Sequence, residues 1–312
     1  MTAVASRELL ALSAQTIAQG SQSFAAASRL FDGRTRAGAH LLYAWCRHCD
    51  DVVDGQALGH GREALTADDR RARVTELEAR TRSALAGEPQ EDPVFRGLQV
   101  VAGEFSLEAR WPLEHLAGFA MDVEPRAYPD ADAVLLYCWR VAGVVGVMMA
   151  AVMGVAADDL PVLRRAQDLG LAFQLTNIAR DVREDAENGR VYLPGDRLAA
   201  HGLAAEPAAV LAAPEAAAAV ARELVAMAEP FYDSARAGLS ALPWRSAWAV
   251  AAARGVYREI GRKVVRAGDR ALERRAATTS AAKLGLALQG GALALSSRGA
   301  RPTPRPDLWS AL

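Results

Sequence analysis

Cysteine is scarce in this chain: Cys46, Cys49 and Cys138 are its full complement, too few and too ill-matched for a disulfide framework. A cytosolic location is the expectation that follows. Cys46 and Cys49 form a CxxC, a spacing shared with redox and zinc sites, but no second pair exists and both fall inside a helical pattern, so packing is their expected role. Lysine occurs only at Lys263 and Lys283, which leaves nearly all positive charge to arginine, whose planar fork suits phosphate. An excess of either charge is missing too. Lys plus Arg number 36 against 37 Asp plus Glu, for a net charge of −1, and without a basic footprint no nucleic-acid partner is expected. Aromatic residues make up 6%, and their scarcity beside abundant Ala and Leu favours helix over sheet.

No GxGxxG follows a strand pattern, which removes support for a nicotinamide site of the Rossmann type, and there is no solenoid repeat. The longest apolar stretch, 141–157, falls short of the ~20 residues that cross a bilayer; it reads as a buried central helix. Residues 1–12 carry Arg7 and Glu8 and lack a signal-peptide pattern. A cytoplasmic protein without a transmembrane segment is expected.

What the chain does have is helical periodicity within an ordinary globular composition, 51% hydrophobic and 23% charged over 312 residues. The expectation is one all-α domain over 1–295 and a flexible or loosely docked tail over 296–312, where three prolines interrupt any pattern. Helices are predicted over 6–18, 36–54, 66–86, 93–105, 112–123, 132–153, 158–187, 215–239 and 244–268. Glycines at 55–62 suggest a flexible rim loop, and 199–214 reads as loop.

Two helices carry unusual polar stripes. In Gln174-Leu175-Thr176-Asn177-Ile178-Ala179-Arg180-Asp181-Val182-Arg183-Glu184-Asp185, residues four apart share a face, so Asn177, Asp181 and Asp185 align and Gln174 extends the row. Leu175, Ile178 and Val182 lie opposite, beside the apolar run 169–173. Acidic residues crowded at a helix end are most often a solvated face. A second stripe of the same design alters that reading: in Tyr43-Ala44-Trp45-Cys46-Arg47-His48-Cys49-Asp50-Asp51-Val52-Val53-Asp54, Tyr43, Arg47, Asp50 and Asp54 recur at helical spacing. Two DxxxD elements, each accompanied by Arg, suggest two walls of one cavity for a metal–diphosphate, since Mg²⁺ is held by one or two carboxylates together with substrate phosphates.

Other candidates are weaker. Ser21 and Ser23, ahead of Phe24, are either helix caps or anion ligands. Glycines within 141–146 cost ~1 kcal/mol each in a helix relative to Ala, which implies either a close helix–helix contact or room for a long chain. The segment 190–194 is a connector or a lid beside the second stripe. Tyr257 lies on the last predicted helix with Arg254, Arg258 and Arg262 nearby.

At the two stripes the chain resembles the squalene and phytoene synthases, the head-to-head prenyl transferases, and the resemblance spans nearly its whole length. The matching runs are 43–54 and 171–185, the latter continuing into Gly189-Arg190-Val191-Tyr192-Leu193-Pro194. The resemblance implies an isoprenoid synthase helical bundle around a central apolar cavity. It implies that Asp50, Asp54, Asn177, Asp181 and Asp185 hold Mg²⁺, or Mn²⁺ in its place, with Asp51 alongside. Ser21, Ser23, Phe24, Tyr43, Arg47, Gln174 and Arg180 match diphosphate-contacting or cavity positions, and Tyr137, Val141, Ala142 and Gly146 match the wall around the reacting carbons. Tyr257 matches well, while Arg274 and Lys283 are placed by spacing alone. The implied reaction joins two geranylgeranyl diphosphates without NADPH. A squalene or dehydrosqualene synthase using farnesyl diphosphate, or a non-catalytic helical assembly subunit, is the alternative. An apolar product would draw the protein to a membrane surface and towards other carotenoid-pathway enzymes.

Overall fold

A computed structural model describes residues 7–20, 22–56, 65–123, 126–299 and 303–312. Ser21 and positions 57–62 of the expected rim loop lie outside them. The elements begin with α1 (Arg7–Gly20), α2 (Gln22–Ser28), α3 (Gly33–Asp54), α4 (Ala67–Leu85), α5 (Pro93–Phe105), α6 (Arg110–Met121) and α7 (Ala131–Cys138). A π-helical turn, Trp139–Gly143, leads into α8 (Val144–Val152). Then follow α9 (Leu160–Glu187), α10 (Gly195–Ala200), α11 (Pro207–Ala212), α12 (Pro214–Ala237), α13 (Trp244–Ala267) and α14 (Ser280–Ser296). Among the described residues, the sole β pairing is an isolated bridge between Tyr128 and Pro194.

Local chemistry places the helix that carries the first stripe. The Asp32 carboxylate accepts from the backbone N–H of Arg34 and Thr35, capping the start of α3. Gly55 ends it at φ 66°, in the left-handed region that glycine enters at least cost. The second stripe rides on α9, whose 28 residues start from the Asp159 cap with Pro161 in the first turn. At 1.5 Å per residue this helix is ~42 Å long. It packs against α8, α12 and α13, while α3 packs against α1 and α5, so the two stripes occupy different layers of the bundle.

The contact between the run Ala131–Val152 and α9 is exceptionally close. A Cβ on Gly146 would lie 2.4 Å from the Ala166 carbonyl oxygen, and one on Gly170 would lie 2.3 Å from that of Ala142. These glycines therefore serve backbone-to-backbone packing, and Gly146 also borders the cavity. The π-helical turn widens the helix by one residue per hydrogen-bonded loop, and such turns recur at functional sites; here it places Val141 and Ala142 in the cavity wall. The run Ala131–Val152 is longer than the apolar stretch read from sequence and long enough to cross a membrane, but more than half of it is buried inside the protein.

Three expectations need correction. The loop-like stretch 199–214 contains α11, a helix of six residues with Pro207 at its start, too short to show periodicity. Helix α14 went unforeseen because its apolar residues and three glycines surround the axis without an obvious stripe. The C-terminal segment is docked rather than loose. The Asp168 carboxylate on α9 is fully buried and takes two hydrogen bonds from Arg305, at 2.9 and 2.8 Å, which supply the counter-charge a buried carboxylate requires.

Candidate active site

A cavity of about 810 Å³ runs through the bundle between α3, the α7–α8 run, α9 and α13. Most of its wall is apolar. Polar groups gather at one end, where Tyr43, Arg47 and Asp50 of α3 face Gln174 and Asn177 of α9. Phe24, Tyr137, Val141, Ala142, Gly146, Tyr257 and Lys283 are also in the wall. Asp54, Asp181, Asp185 and Arg180 lie outside it, one to two turns further along the same helices. Ser23 is placed within α2, and Ser21 lies outside the described residues.

Each acidic stripe is held by arginine. Arg47 spans Asp50 at 3.0 Å and Asp51 at 2.7 Å. Arg190, from the segment after α9, reaches back to Asp54 at 2.9 Å. Asp181 is clamped from two sides: Arg180 beside it donates through Nε at 2.8 Å, and Arg275 donates at 2.7 and 3.0 Å from the connection before α14. Arg274, placed by spacing, makes no hydrogen bond to Asp181; its neighbour Arg275, also exposed, makes that contact. The segment 190–194 is pinned at both ends, by Arg190 on Asp54 and by the bridge of Pro194 to Tyr128.

Sequence reasoning missed Asp122. Its two carboxylate oxygens accept from the hydroxyls of Tyr137 at 2.9 Å and Tyr192 at 2.8 Å, and the two rings stack with centroids 4.8 Å apart. Three separate elements meet there, and no local pattern links them. Aromatic faces also pair elsewhere in the wall: Phe24 stacks on Tyr43, and Phe173 on Tyr257. Gly20 allows the first of these, because a Cβ there would sit 2.5 Å from the Tyr43 hydroxyl.

The electrostatics separate the carboxylates into two kinds. Burial pushes Asp50 up to about 6, with Arg47 opposing and Asp54 and Asp51 adding to the rise. Burial and the neighbouring Asp181 push Asp185 up to about 7, against the pull of Arg190. For Asp181, burial is outweighed by hydrogen bonds from Arg180 and Arg275, which hold its carboxyl below the usual range. Burial raises Tyr137 well above an ordinary phenol, with Asp122 reinforcing it, so Tyr137 stays protonated and donates to Asp122.

A divalent cation fits these donors. The Asn177 Oδ1 atom is buried without a hydrogen-bond partner, an oxygen left available beside carboxylates on a cavity wall. Among the described residues, however, no three His, Cys, Asp or Glu side chains converge as a ready-made cluster. Each wall offers oxygens, and the walls stand apart. Such a site suits a cation that takes its remaining ligands from a substrate's phosphates.

The cysteines take no part in this chemistry. All three are free, and burial raises the thiol of Cys46 to about 12 and those of Cys49 and Cys138 in the same direction, which leaves them inert.

The helical layers, the apolar cavity and the facing acidic stripes define an all-α isoprenoid synthase fold. A crystal structure of a dehydrosqualene synthase with ligand superposes with a TM-score of 0.79 at 25% identity, covering 93% of this chain and 98% of that one. The squalene synthase HpnC of Alicyclobacillus acidocaldarius shares the fold at a TM-score of 0.70 and 23% identity, over 84% and 93% of the two chains. The family model for squalene/phytoene synthases matches residues 17–283. The chain belongs to the squalene/phytoene synthase family. It is 51% identical over 291 residues to the 15-cis-phytoene synthase of Enterobacter agglomerans, covering 93% of this chain and 98% of that protein. It is 49% identical over 302 residues to that of Pantoea ananas, covering 96% and 97%.

Proposed function

We propose that this protein is a phytoene synthase, joining two geranylgeranyl diphosphates head to head through the cyclopropyl intermediate prephytoene diphosphate. The observation that carries the reading is one apolar cavity with arginine-held acidic stripes facing each other at its polar end. Near-full-length identity of about half to relatives named phytoene synthases supports the choice of substrate. Two C1–O bonds break, each electron pair leaving with pyrophosphate, and two protons are lost to give a forty-carbon hydrocarbon with a central conjugated triene. No hydride is needed, so NADPH has no place in this reaction.

Asp50, Asp54, Asn177, Asp181 and Asp185 are the residues that would hold Mg²⁺ or Mn²⁺. When bound, the cation supplies Lewis-acid stabilisation of charge on the departing diphosphate oxygens. The chain's own groups do the rest. Arg47, Arg180, Arg190 and Arg275 ring the polar end with guanidinium forks matched to phosphate. The apolar wall excludes water from the allylic cation and holds the two alkenes in contact. Phe24 with Tyr43, and Phe173 with Tyr257, turn aromatic surface to the cavity, where a desolvated cation gains ~0.5–2 kcal/mol per face. The product is a hydrocarbon, which gives the protein reason to touch a membrane and to hand over to an enzyme acting on apolar polyenes. Leu284, Leu288 and Leu295, exposed on the outer side of α14, are a surface for that contact.

Incubation with geranylgeranyl diphosphate and Mg²⁺, without NADPH, followed by mass analysis of the hydrocarbon extract, tests the reading. A forty-carbon hydrocarbon with a conjugated triene is expected. A thirty-carbon hydrocarbon from farnesyl diphosphate, with nothing from the longer substrate, would overturn the substrate assignment; no pyrophosphate release from either would favour a non-catalytic subunit.

A further inference from the structure

The end of the cavity away from the acidic stripes contains a charged residue. Arg165 lines that end with Ala166 of α9 and with Gly238, Leu239 and Leu242 of the α12–α13 connection. It precedes Asn177 by twelve residues on the same helix, a separation of ~18 Å. Its aliphatic stem closes the wall: a Cβ on Gly238 would lie 3.1 Å from Arg165 Cβ and 3.3 Å from its Cδ. Its guanidinium is drawn away, donating to the Ser234 carbonyl at 2.9 Å and to the carbonyl of Thr303 in the C-terminal segment.

That segment is fastened along one side of α9. Arg164 donates to Leu312 at 3.0 Å, the Gln167 side chain accepts from the Ala311 N–H at 3.1 Å, and Asp168 takes the bidentate pair from Arg305. Arg305 also donates to the carbonyls of Leu308 and Trp309, which shapes the segment around its own side chain. Asp168 is therefore fully engaged, by Arg305 and by the Ser234 hydroxyl at 2.5 Å. Arg165 stands three residues before Asp168, in reach for an i,i+3 pair, yet the structure pairs that carboxylate with Arg305.

We propose that residues 303–312 are a strap that sets the floor of the cavity: by occupying Asp168, Arg305 keeps Arg165 in the position where its stem stops the prenyl chain. The strap is a specificity device and Arg305 a positioning residue. Without Arg305 the buried Asp168 carboxylate loses its counter-charge, and Arg165, three residues away on the same helix and within the field of that carboxylate, is a cation able to replace it. Its stem then leaves Gly238 and the floor deepens. This rests on the prenyl-diphosphate reading of the cavity.

The test compares kcat/KM for a twenty-carbon and a twenty-five-carbon prenyl diphosphate in the parent protein and in Arg305→Gln, with Tm measured alongside. The ratio of the longer to the shorter substrate is expected to rise about tenfold or more, since pocket discrimination against even one extra methylene is worth ~10-fold upwards. In the double variant Asp168→Asn/Arg305→Gln, Arg165 has no carboxylate to follow, and the ratio is expected to return towards that of the parent. A merely structural strap would lower Tm and leave the ratio unmoved. If Arg305→Gln does not fold, Arg305→Lys, which keeps the charge and loses the fork, is read on the same ratio with a several-fold rise expected. A ratio within twofold of the parent in a folded Arg305 variant overturns the proposal. Absence of any hydrocarbon from the parent protein would instead overturn the functional reading on which it rests.

Discussion

Arg275 and Arg274 are adjacent, carry the same charge and are both exposed, so substituting each in turn separates contact from mere charge. Arg275 makes two hydrogen bonds to Asp181 and Arg274 makes none to it. Arg275→Ala is expected to lower kcat/KM by about 10–100-fold, a loss of ~1.4–2.8 kcal/mol typical of a charge-assisted hydrogen bond, while Arg274→Ala stays within about threefold. Equal losses in steady-state kinetics would mean that only the local positive potential matters. Asp181→Asn deletes the carboxylate that this clamp holds, and is expected to abolish most turnover with helical circular dichroism unchanged. The pH dependence of stability follows from two other carboxylates. Asp50 and Asp185, raised to about 6 and about 7, bind protons in the native state that the unfolded chain would release above about 4. Between pH 4 and 7 their contribution therefore destabilises the fold as pH rises, and is greatest above 7. Asp181, with its lowered value, stabilises the fold throughout that window, and its contribution changes only below the unfolded pKa, where it is lost as pH falls. The metal-free Asp50→Asn/Asp185→Asn variant should accordingly lose the part of the Tm decline seen in the parent between pH 5 and 7.5. An identical decline in both proteins would remove these two groups as its source.

At the scale of elements, helix packing decides what the glycines of the α7–α8 run are for. Sequence periodicity left two readings open at 141–146, a close contact or space for substrate, because a missing side chain is compatible with both. The backbone distances at Gly146 and Gly170 supply what spacing lacks. Gly170→Ala gains ~1 kcal/mol of helix propensity, but its Cβ meets a carbonyl oxygen at 2.3 Å and a backbone that has no rotamer to yield. Overpacking of this kind costs ~1–3 kcal/mol or more, so the net effect is expected to be destabilising, read as a lower denaturation midpoint at unchanged m. A higher midpoint would show that the two helices separate easily. Helices α3 and α9 were legible for a related reason: their polar residues repeat at four on otherwise apolar segments. The Asp158-Asp159-Leu160-Pro161 run marks the start of α9, whereas α3 begins three residues before the expected position 36, at the Asp32 cap. Two groups that complete the site were not: Arg275 comes from a connecting segment, and Asp122 follows α6. Tyr137 and the run 190–194 were named through the family resemblance, but the pairing of Tyr137 and Tyr192 on Asp122 and of Arg190 on Asp54 was not. Contacts of that range are made by the tertiary fold, and no period of 3.6 announces them. Arg305 is a further case, since its partner Asp168 looks like one more helical acid until its complete burial is seen.

For the molecule as a whole, the separation of the two acidic walls dictates how ligands stabilise it. Among the described residues no three acidic or metal-binding side chains converge, and the stripes are occupied by Arg47, Arg190, Arg180 and Arg275. A cation arriving alone finds too few oxygens on either wall and must compete with those arginines. Pyrophosphate arriving alone meets the arginines but also unscreened carboxylates. Together they would satisfy both: the guanidinium forks of Arg47, Arg180, Arg190 and Arg275 would hold the anion, and Asp50, Asp54, Asn177, Asp181 and Asp185 would hold the cation, which would supply counter-charge to the phosphate. Stabilisation by Mg²⁺ and pyrophosphate should therefore be strongly cooperative, because joining α3 to α9 ties two layers of the bundle through one ligand. At a hundredfold excess over the dissociation constant, a ligand bound only to the native state adds ~2.7 kcal/mol, a shift of a few degrees in Tm for a chain of this size. Differential scanning calorimetry with each component alone and with both should show at most a marginal shift for either and a clear one for the pair. Full stabilisation by Mg²⁺ alone would mean that the carboxylates already form a closed metal site, and the picture of two walls joined through substrate phosphate would have to be given up.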